Sequence, residues 1–166
     1  MHDKKISIRV AGILIRDNKI LLIQHKKEKK KYWLVPGGNL EYSENIHTCL
    51  IREFKEELFL EILVQDFLFL VETISPDKER HILNLFYKVV APTSRRLDNS
   101  RQDAGVTVDG ECQDIKIGNE ERLNAVGFFS YDELDNLIIY PDIKTELKMV
   151  LKGKQIKSLS LVKKWI

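Results

Sequence analysis

The chain has 166 residues, with 27 Lys plus Arg against 25 Asp plus Glu, for a net charge of +2 at pH 7. That length fits one domain at ~150 residues each, and the near-neutral balance argues against a dedicated nucleic-acid or membrane-surface binder, which carries a concentrated basic excess. Hydrophobic residues make up 43%, enough for a core, while two cysteines (Cys49, Cys112) and four scattered histidines support neither a disulfide scaffold nor a zinc cluster.

The first residues, Met1-His2-Asp3-Lys4-Lys5, lack the apolar region of a signal peptide. A β-branched run over 6–15 reads as a strand, Asp17-Asn18 as a turn, and 20–24 as the returning strand of a hairpin. The stretch 26–31 (KKEKKK) reads as a charged loop, and the apolar 33–35 is stopped by Pro36-Gly37-Gly38. Ser43 suits a helix N-cap, and 44–58 contains no Gly or Pro, so a helix of about four turns follows. Strands are expected over 62–74 and 81–90, joined by a polar turn at Pro76-Asp77-Lys78. The first of these is broken by Gln65, Asp66 and Glu72, short of the ~20 apolar residues of a membrane span. Residues 92–121 form a polar insertion, a mobile lid or dimer arm, in which 106–108 and 115–117 have the makings of a small hairpin. A last strand over 126–129, a short helix over 131–137 capped by Ser130, a helix over 142–151 and a basic tail that docks or frays complete the chain. The expectation is a mixed α/β protein, a single domain over 1–166, in a reducing, cytoplasmic compartment.

On a helical wheel at ~100° per residue, Ile46, Leu50, Phe54 and Leu58 make the core stripe of the 44–58 helix, and Lys55 points to solvent. Glu53 and Glu57 fall beside that stripe rather than opposite it, with Glu56 and Cys49 nearby. Carboxylates crowded on one arc repel, and burial adds a desolvation cost. A bound hard cation such as Mg²⁺ or Mn²⁺ relieves both, since these ions take oxygen ligands and are completed by water and phosphate oxygens. Arg52, four before Glu56, can hold one carboxylate by ion pairing. The alternative is a solvated acidic face partnered by Arg52 and Lys55.

The stretch 38–60 resembles the signature of the Nudix hydrolases: Gly, five residues, Glu, seven residues, then Arg-Glu-apolar-x-Glu-Glu-x-Gly-apolar. Here it reads Gly38, Glu44, then Arg52-Glu53-Phe54-Lys55-Glu56-Glu57-Leu58-Phe59-Leu60. The lead-in Trp33-Leu34-Val35-Pro36-Gly37 is similar too, and the run Gly127-Phe128-Phe129-Ser130 into Asp132-Glu133-Leu134 extends the likeness to most of the chain. The resemblance implies an α/β/α sandwich around a mixed sheet, with the motif as loop–helix–loop. One position departs: Phe59 stands where the family has a Gly that ends the helix in the left-handed region. Either the helix ends differently, or the strain is absorbed by burying the ring.

By the same resemblance the activity is Mg²⁺- or Mn²⁺-dependent cleavage of a nucleoside diphosphate linked to another moiety. Glu53 and Glu57 are the chief metal ligands, Glu56 is a third ligand or water-orienting group, and a carbonyl of Gly37 or Gly38 is a further donor. Arg52 orients a carboxylate, and Glu44 favours the helix dipole. Family members draw a general base or extra ligand from a later loop, for which Glu120 and Glu121 are the candidates. Pro76, sixteen residues past Leu60, matches a position associated with ADP-ribose hydrolases. Arg9 and Arg80 at strand ends have phosphate contact or solvation open to them, and His81 a substrate hydrogen bond or a strand start. Trp33 is read as core packing in preference to base stacking. Two further readings stand. The chain could be a nucleoside triphosphate or RNA 5′-end pyrophosphohydrolase, the lysines of 26–31 attracting an RNA 5′ end, against which weigh the net charge of only +2 and the absence of an interleaved aromatic; or it is a non-catalytic nucleotide sensor, against which weigh its intact acids. A homodimer is the expected assembly.

Overall fold

The computed structural model describes residues 5–27, 29–92, 115, 118, 122–156 and 160–164. Strand β1 (Ile6–Arg16) turns into β2 (Lys19–Lys27) through Asp17 and Asn18, at φ 49° and 56°. These two residue types tolerate the left-handed region, which a two-residue hairpin of this twist requires. The expected hairpin is therefore present, with Ile15 opposite Ile20.

The charged run is not a loop. β3 (Lys30–Leu34) pairs antiparallel with β2, placing Lys27 opposite Lys30 and Lys26 opposite Lys31. Ile23 opposite Leu34 and Gln24 opposite Trp33 set this register, and like-charge repulsion at the tip is the smaller effect. β4 (Gly37–Asn39), too short and glycine-rich to be read as a strand, pairs with Arg9 to Ala11 of β1.

Helix α1 (Ile46–Leu58) starts two residues later than expected. Its cap is Asn45, whose side chain accepts from Thr48 N–H at 2.9 Å, while Ser43 sits at φ 66° in the approach. Its end follows the familiar pattern despite Phe59: that residue takes φ 51°, ψ 32°, and the N–H groups of Phe59 and Leu60 bond back to Lys55 and Phe54. The Phe59 ring is 57% exposed, so neither a different helix end nor ring burial answers the left-handed strain. Phe59→Gly is accordingly expected to stabilise the fold. The ~1–2 kcal/mol conformational cost is relieved and the extra chain entropy of Gly partly offsets it, leaving about 1 kcal/mol, or roughly 2–4 °C in thermal melting.

β5 (Leu63–Ile74) and β6 (His81–Val90) form an antiparallel pair, and β6 lies parallel to β1 with Ile6 opposite His81. β7 (Leu123–Phe129) adds to β2. A 3-10 turn (Glu133–Asn136) replaces the expected short helix; Ser130 donates from its N–H and Oγ to Glu133, while Asp132 is the cap position. α2 (Lys144–Leu151) follows, and β8 (Ser160–Lys164) docks the tail parallel to β5. The strand path is β3-β2-β1-β6-β5-β8, with β4 on β1 and β7 on β2.

Two apolar layers sandwich this mixed sheet. Val10, Leu14, Leu21 and Ile23 face Leu50, Phe54 and Leu58 of α1. On the other side Ala11, Ile13, Ile20 and Leu22 meet Leu134 of the 3-10 turn, Ile143 at the cap of α2 and Leu147 within it, and Trp33 packs there edge-on against Phe129 with centroids 4.6 Å apart. Alternate residues of β1 and β2 serve the two layers, as a strand buried on both faces requires. No described helix is long and apolar enough to cross a membrane. The expected hairpin inside 92–121 lies outside the described residues, apart from Ile115 and Gly118.

Candidate active site

Burial sorts the acids of α1 as the wheel does. Glu57 is 2% and Glu53 8% exposed, whereas the Glu56 side chain is 53% exposed. β4 brings two glycines over the buried pair. Glu57 Oε2 accepts the Gly37 N–H at 2.9 Å, and a Cβ at Gly38 would come under 3.0 Å from every atom of the Glu53 carboxyl group. Gly37 itself sits at φ +136°, with its missing Cβ replaced by the Val10 carbonyl oxygen. The sequence Pro-Gly-Gly is thus the condition for the acids and β4 to touch.

Two arginines organise this cradle. Arg52 bonds Glu44 (2.9 and 3.0 Å), Glu53 (2.7 Å) and Glu56 (3.2 Å), fixing three carboxylates from one guanidinium. Burial raises the Glu53 pKa and the Arg52 contact opposes that rise. Arg9, on β1, donates to the carbonyls of Val35 (2.8 Å) and Gly37 (2.7 Å). Burial lowers its pKa while Glu57 and Glu53 pull the other way. Arg9 therefore holds the glycine turn, a role that its place in a strand does not announce in the sequence.

Glu44, expected to serve the helix dipole, is instead the main partner of Arg52, whose hydrogen bond lowers its pKa to about 2. Its unfolded value is near 4.5, so the contribution to stability is complete above that pH and is lost as pH falls from about 4.5 to about 2. Acid titration of the native chain is expected to show this loss, and Glu44→Gln to flatten it, read by circular dichroism.

Other expected site residues lie elsewhere. Arg80 is exposed at the β5–β6 turn, and Pro76 lies in the same turn, where Ser75 bonds Asp77 and the Arg80 N–H. His81 Nε2 is 2.7 Å from Glu72 Oε1, and strand alternation turns it away from Asn84, the register partner of Arg9. Glu120 and Glu121 lie outside the described residues. Gly118, which sequence reasoning passed over, donates its N–H to the Glu57 carbonyl at 2.7 Å, and a Cβ there would collide with the Glu56 carbonyl. The available signal was that the last carbonyls of a helix need donors. Among the described residues no three acid, His or Cys groups converge as a ready metal cage. What converges is a pair of buried carboxylates, hard-oxygen donors, beneath a cradle that only glycine leaves open.

Comparison with known proteins identifies the family and the fold. Residues 7–147 match the NUDIX domain model, and the chain belongs to that family. It is 33% identical over 82 residues to an ADP-ribose pyrophosphatase of Methanocaldococcus jannaschii, covering 49% of this chain and 48% of that one. It is 32% identical over 92 residues to an 8-oxo-dGTP diphosphatase of Proteus vulgaris, covering 54% and 80%. A match to an NAD-capped RNA hydrolase of Vibrio atlanticus is 44% identical over 62 residues, 37% of this chain and 23% of that one. The chain thus spans about half the length, or less, of several curated relatives it matches. Among solved structures, a NUDIX hydrolase from Nitrosomonas europaea superposes with a TM-score of 0.67 at 17% identity, covering 91% and 92%. The E. coli ORF135 protein gives 0.64 at 22%, covering 92% and 95%. These two likenesses establish the fold.

Proposed function

We propose that the chain is a metal-dependent pyrophosphohydrolase that cleaves the diphosphate of a nucleoside diphosphate derivative, with ADP-ribose or another nucleotide sugar as the first substrates to test. The observation that carries this reading is the pair Glu53 and Glu57, buried side by side on α1 under Gly37 and Gly38. Two carboxylates buried side by side, of which Arg52 bonds Glu53, are costly unless further positive charge arrives. Their oxygen chemistry suits Mg²⁺ or Mn²⁺. Glu53 and Glu57 would hold the cation, with the Gly37 carbonyl and Glu56 as further donors. A carbonyl oxygen has two lone pairs, so the Arg9 bond leaves Gly37 able to donate one.

A bound cation supplies neutralisation of the diphosphate and a more acidic water. The rest falls to the chain. Arg52 keeps Glu53 and Glu56 oriented, Arg9 keeps the Gly37 peptide presented, and the bare glycine backbone admits a phosphate closely. Exposed Glu56 would orient the attacking water, whose oxygen bonds to phosphorus and gives up its proton to a carboxylate base as the bridging P–O bond breaks and the leaving group departs as a phosphate monoester. Glu121 is the candidate for that base. The substrate assignment draws on the matched stretch of the ADP-ribose pyrophosphatase; Pro76 adds no contact with the site.

Product release from ADP-ribose, other nucleotide sugars, dinucleoside polyphosphates, nucleoside triphosphates and 5′-capped RNA, with Mg²⁺ or Mn²⁺, tests the proposal. Turnover of one class that chelator abolishes supports it. Nucleotide binding without turnover of any class favours a sensor module instead. The homodimer inferred from family resemblance is read by sedimentation of the same preparation.

A further inference from the structure

The lysine run is the feature that the candidate active site does not absorb. As a hairpin it is a compact cationic tip: Lys26 faces Lys31, Lys27 faces Lys30, and Lys29 lies in the turn, all exposed. None of the five makes an ion pair or side-chain hydrogen bond among the described residues. Facing like charges destabilise a strand pair, so the fold gains nothing from them. Residues 26–31 carry a net +4, so the rest of the chain sums to −2, although 152–166 is a second basic stretch with five Lys and no acid.

Its position connects it to the acids of α1. The next cross-strand pair inward is His25 with Tyr32, ring centroids 6.1 Å apart, and Tyr32 meets the edge of Tyr140 at 6.2 Å. Arg122 joins the tip through its carbonyl, which accepts the Lys26 N–H at 2.9 Å. Burial, followed by the charges of Arg9 and Arg122, lowers the His25 pKa to about 4. Arg9 in turn holds Gly37 above Glu57. Tyr32 packs against the core layer that contains Leu50, Phe54 and Leu58 of α1, so the half-buried aromatic pair lies on the helix side of the sheet, and the Lys27–Lys30 pair is about 7 Å beyond it along the strands. His25 and Tyr32 flank the run in the sequence, and strand pairing sets the two rings across from each other beside it.

We propose that this hairpin is a landing surface for single-stranded nucleic acid whose 5′-terminal phosphates reach the Glu53–Glu57 site. Cations tracking a backbone beside aromatic faces suit a single strand without sequence preference. An anionic membrane is the poorer fit, since no apolar residue occurs between 26 and 31 to insert. The delivery of a 5′ end to chemistry rests on the proposed function; the binding surface does not.

The test is the affinity of a 12-nucleotide, 5′-monophosphorylated RNA for the full chain across a salt series, with kcat/KM measured on a 5′-triphosphorylated 12-mer and on ADP-ribose. The variants are Lys27→Glu with Lys30→Glu, and Lys88→Glu with Lys154→Glu as an equal charge change at other exposed positions. The native chain should show a log–log salt slope of roughly −3, the value for about four phosphate contacts. The hairpin variant should lose at least tenfold in affinity and about half of that slope, and should lose kcat/KM on the 12-mer alone. Equal loss in both variants, absence of salt-dependent RNA binding, or hairpin-dependent binding to phosphatidylserine vesicles without RNA binding overturns the proposal. If nothing is hydrolysed, the proposed function fails while the binding measurement still decides the surface.

Discussion

Glu57→Gln should lower turnover about 10³-fold, the scale for removing one fixed charge-stabilising group from a closed site, with little change in melting temperature. The fold should survive because the amide oxygen can still accept the Gly37 N–H now held at 2.9 Å. Replacing a side chain that is 2% exposed by its neutral isostere also removes a buried charge rather than creating one. What is lost is the anionic ligand. Glu56→Gln is the graded comparison: its side chain is 53% exposed and bound to Arg52 at 3.2 Å, so about a 10²-fold loss, the low end for a group acting on the attacking water, is expected. Steady-state rates at saturating Mg²⁺, together with the Mg²⁺ concentration at half activity, separate the two. Equal, small losses in both variants would remove the buried acids from the mechanism.

Gly38→Ala should cost about 10²-fold in activity and roughly 1–3 kcal/mol in stability, through geometry alone. The new methyl group occupies the space of the Glu53 carboxyl group. Glu53 cannot swing away freely, because Arg52 grips Oε1 at 2.7 Å and is itself tied to Glu44 and Glu56. Either the Arg52 network breaks or β4 lifts from β1, and both move a ligand. Gly153→Ala is the matching control. It too replaces a glycine, at φ +63°, but nothing lies within 4 Å, so only a conformational cost of about 1 kcal/mol is expected and activity should persist. Denaturant melts and rates on the two variants distinguish a displaced Glu53 from general destabilisation.

Much of this site is written locally in the chain. Glu53 and Glu57 are four apart beside Leu50, Phe54 and Leu58, so one helical period places them at the core edge, and their burial follows from the wheel. Asp17-Asn18 specifies a hairpin because those side chains accept the left-handed region. The Nudix-like spacing from Gly38 to Leu60 carries the family, which the match over 7–147 bears out. The Phe59 substitution was also legible, although not its outcome: the backbone keeps its left-handed turn and leaves the ring in water.

The rest depended on which distant segments meet. Arg9 reads as a strand-end cation until β4 folds onto β1 and gives it two carbonyls from 26 and 28 residues away. His81 and Arg80 read as companions of Arg9 until the parallel β1–β6 register sets His81 on the face opposite Asn84. Gly118 acquires a role only when it reaches the end of α1. The lysine run looked like a loop because charge dominates its composition, and became a paired hairpin because flanking apolar residues fixed the register. Helical period and turn chemistry act over a few residues and are visible in sequence; strand pairing is settled by the burial of both sheet faces at once, which only the tertiary structure displays.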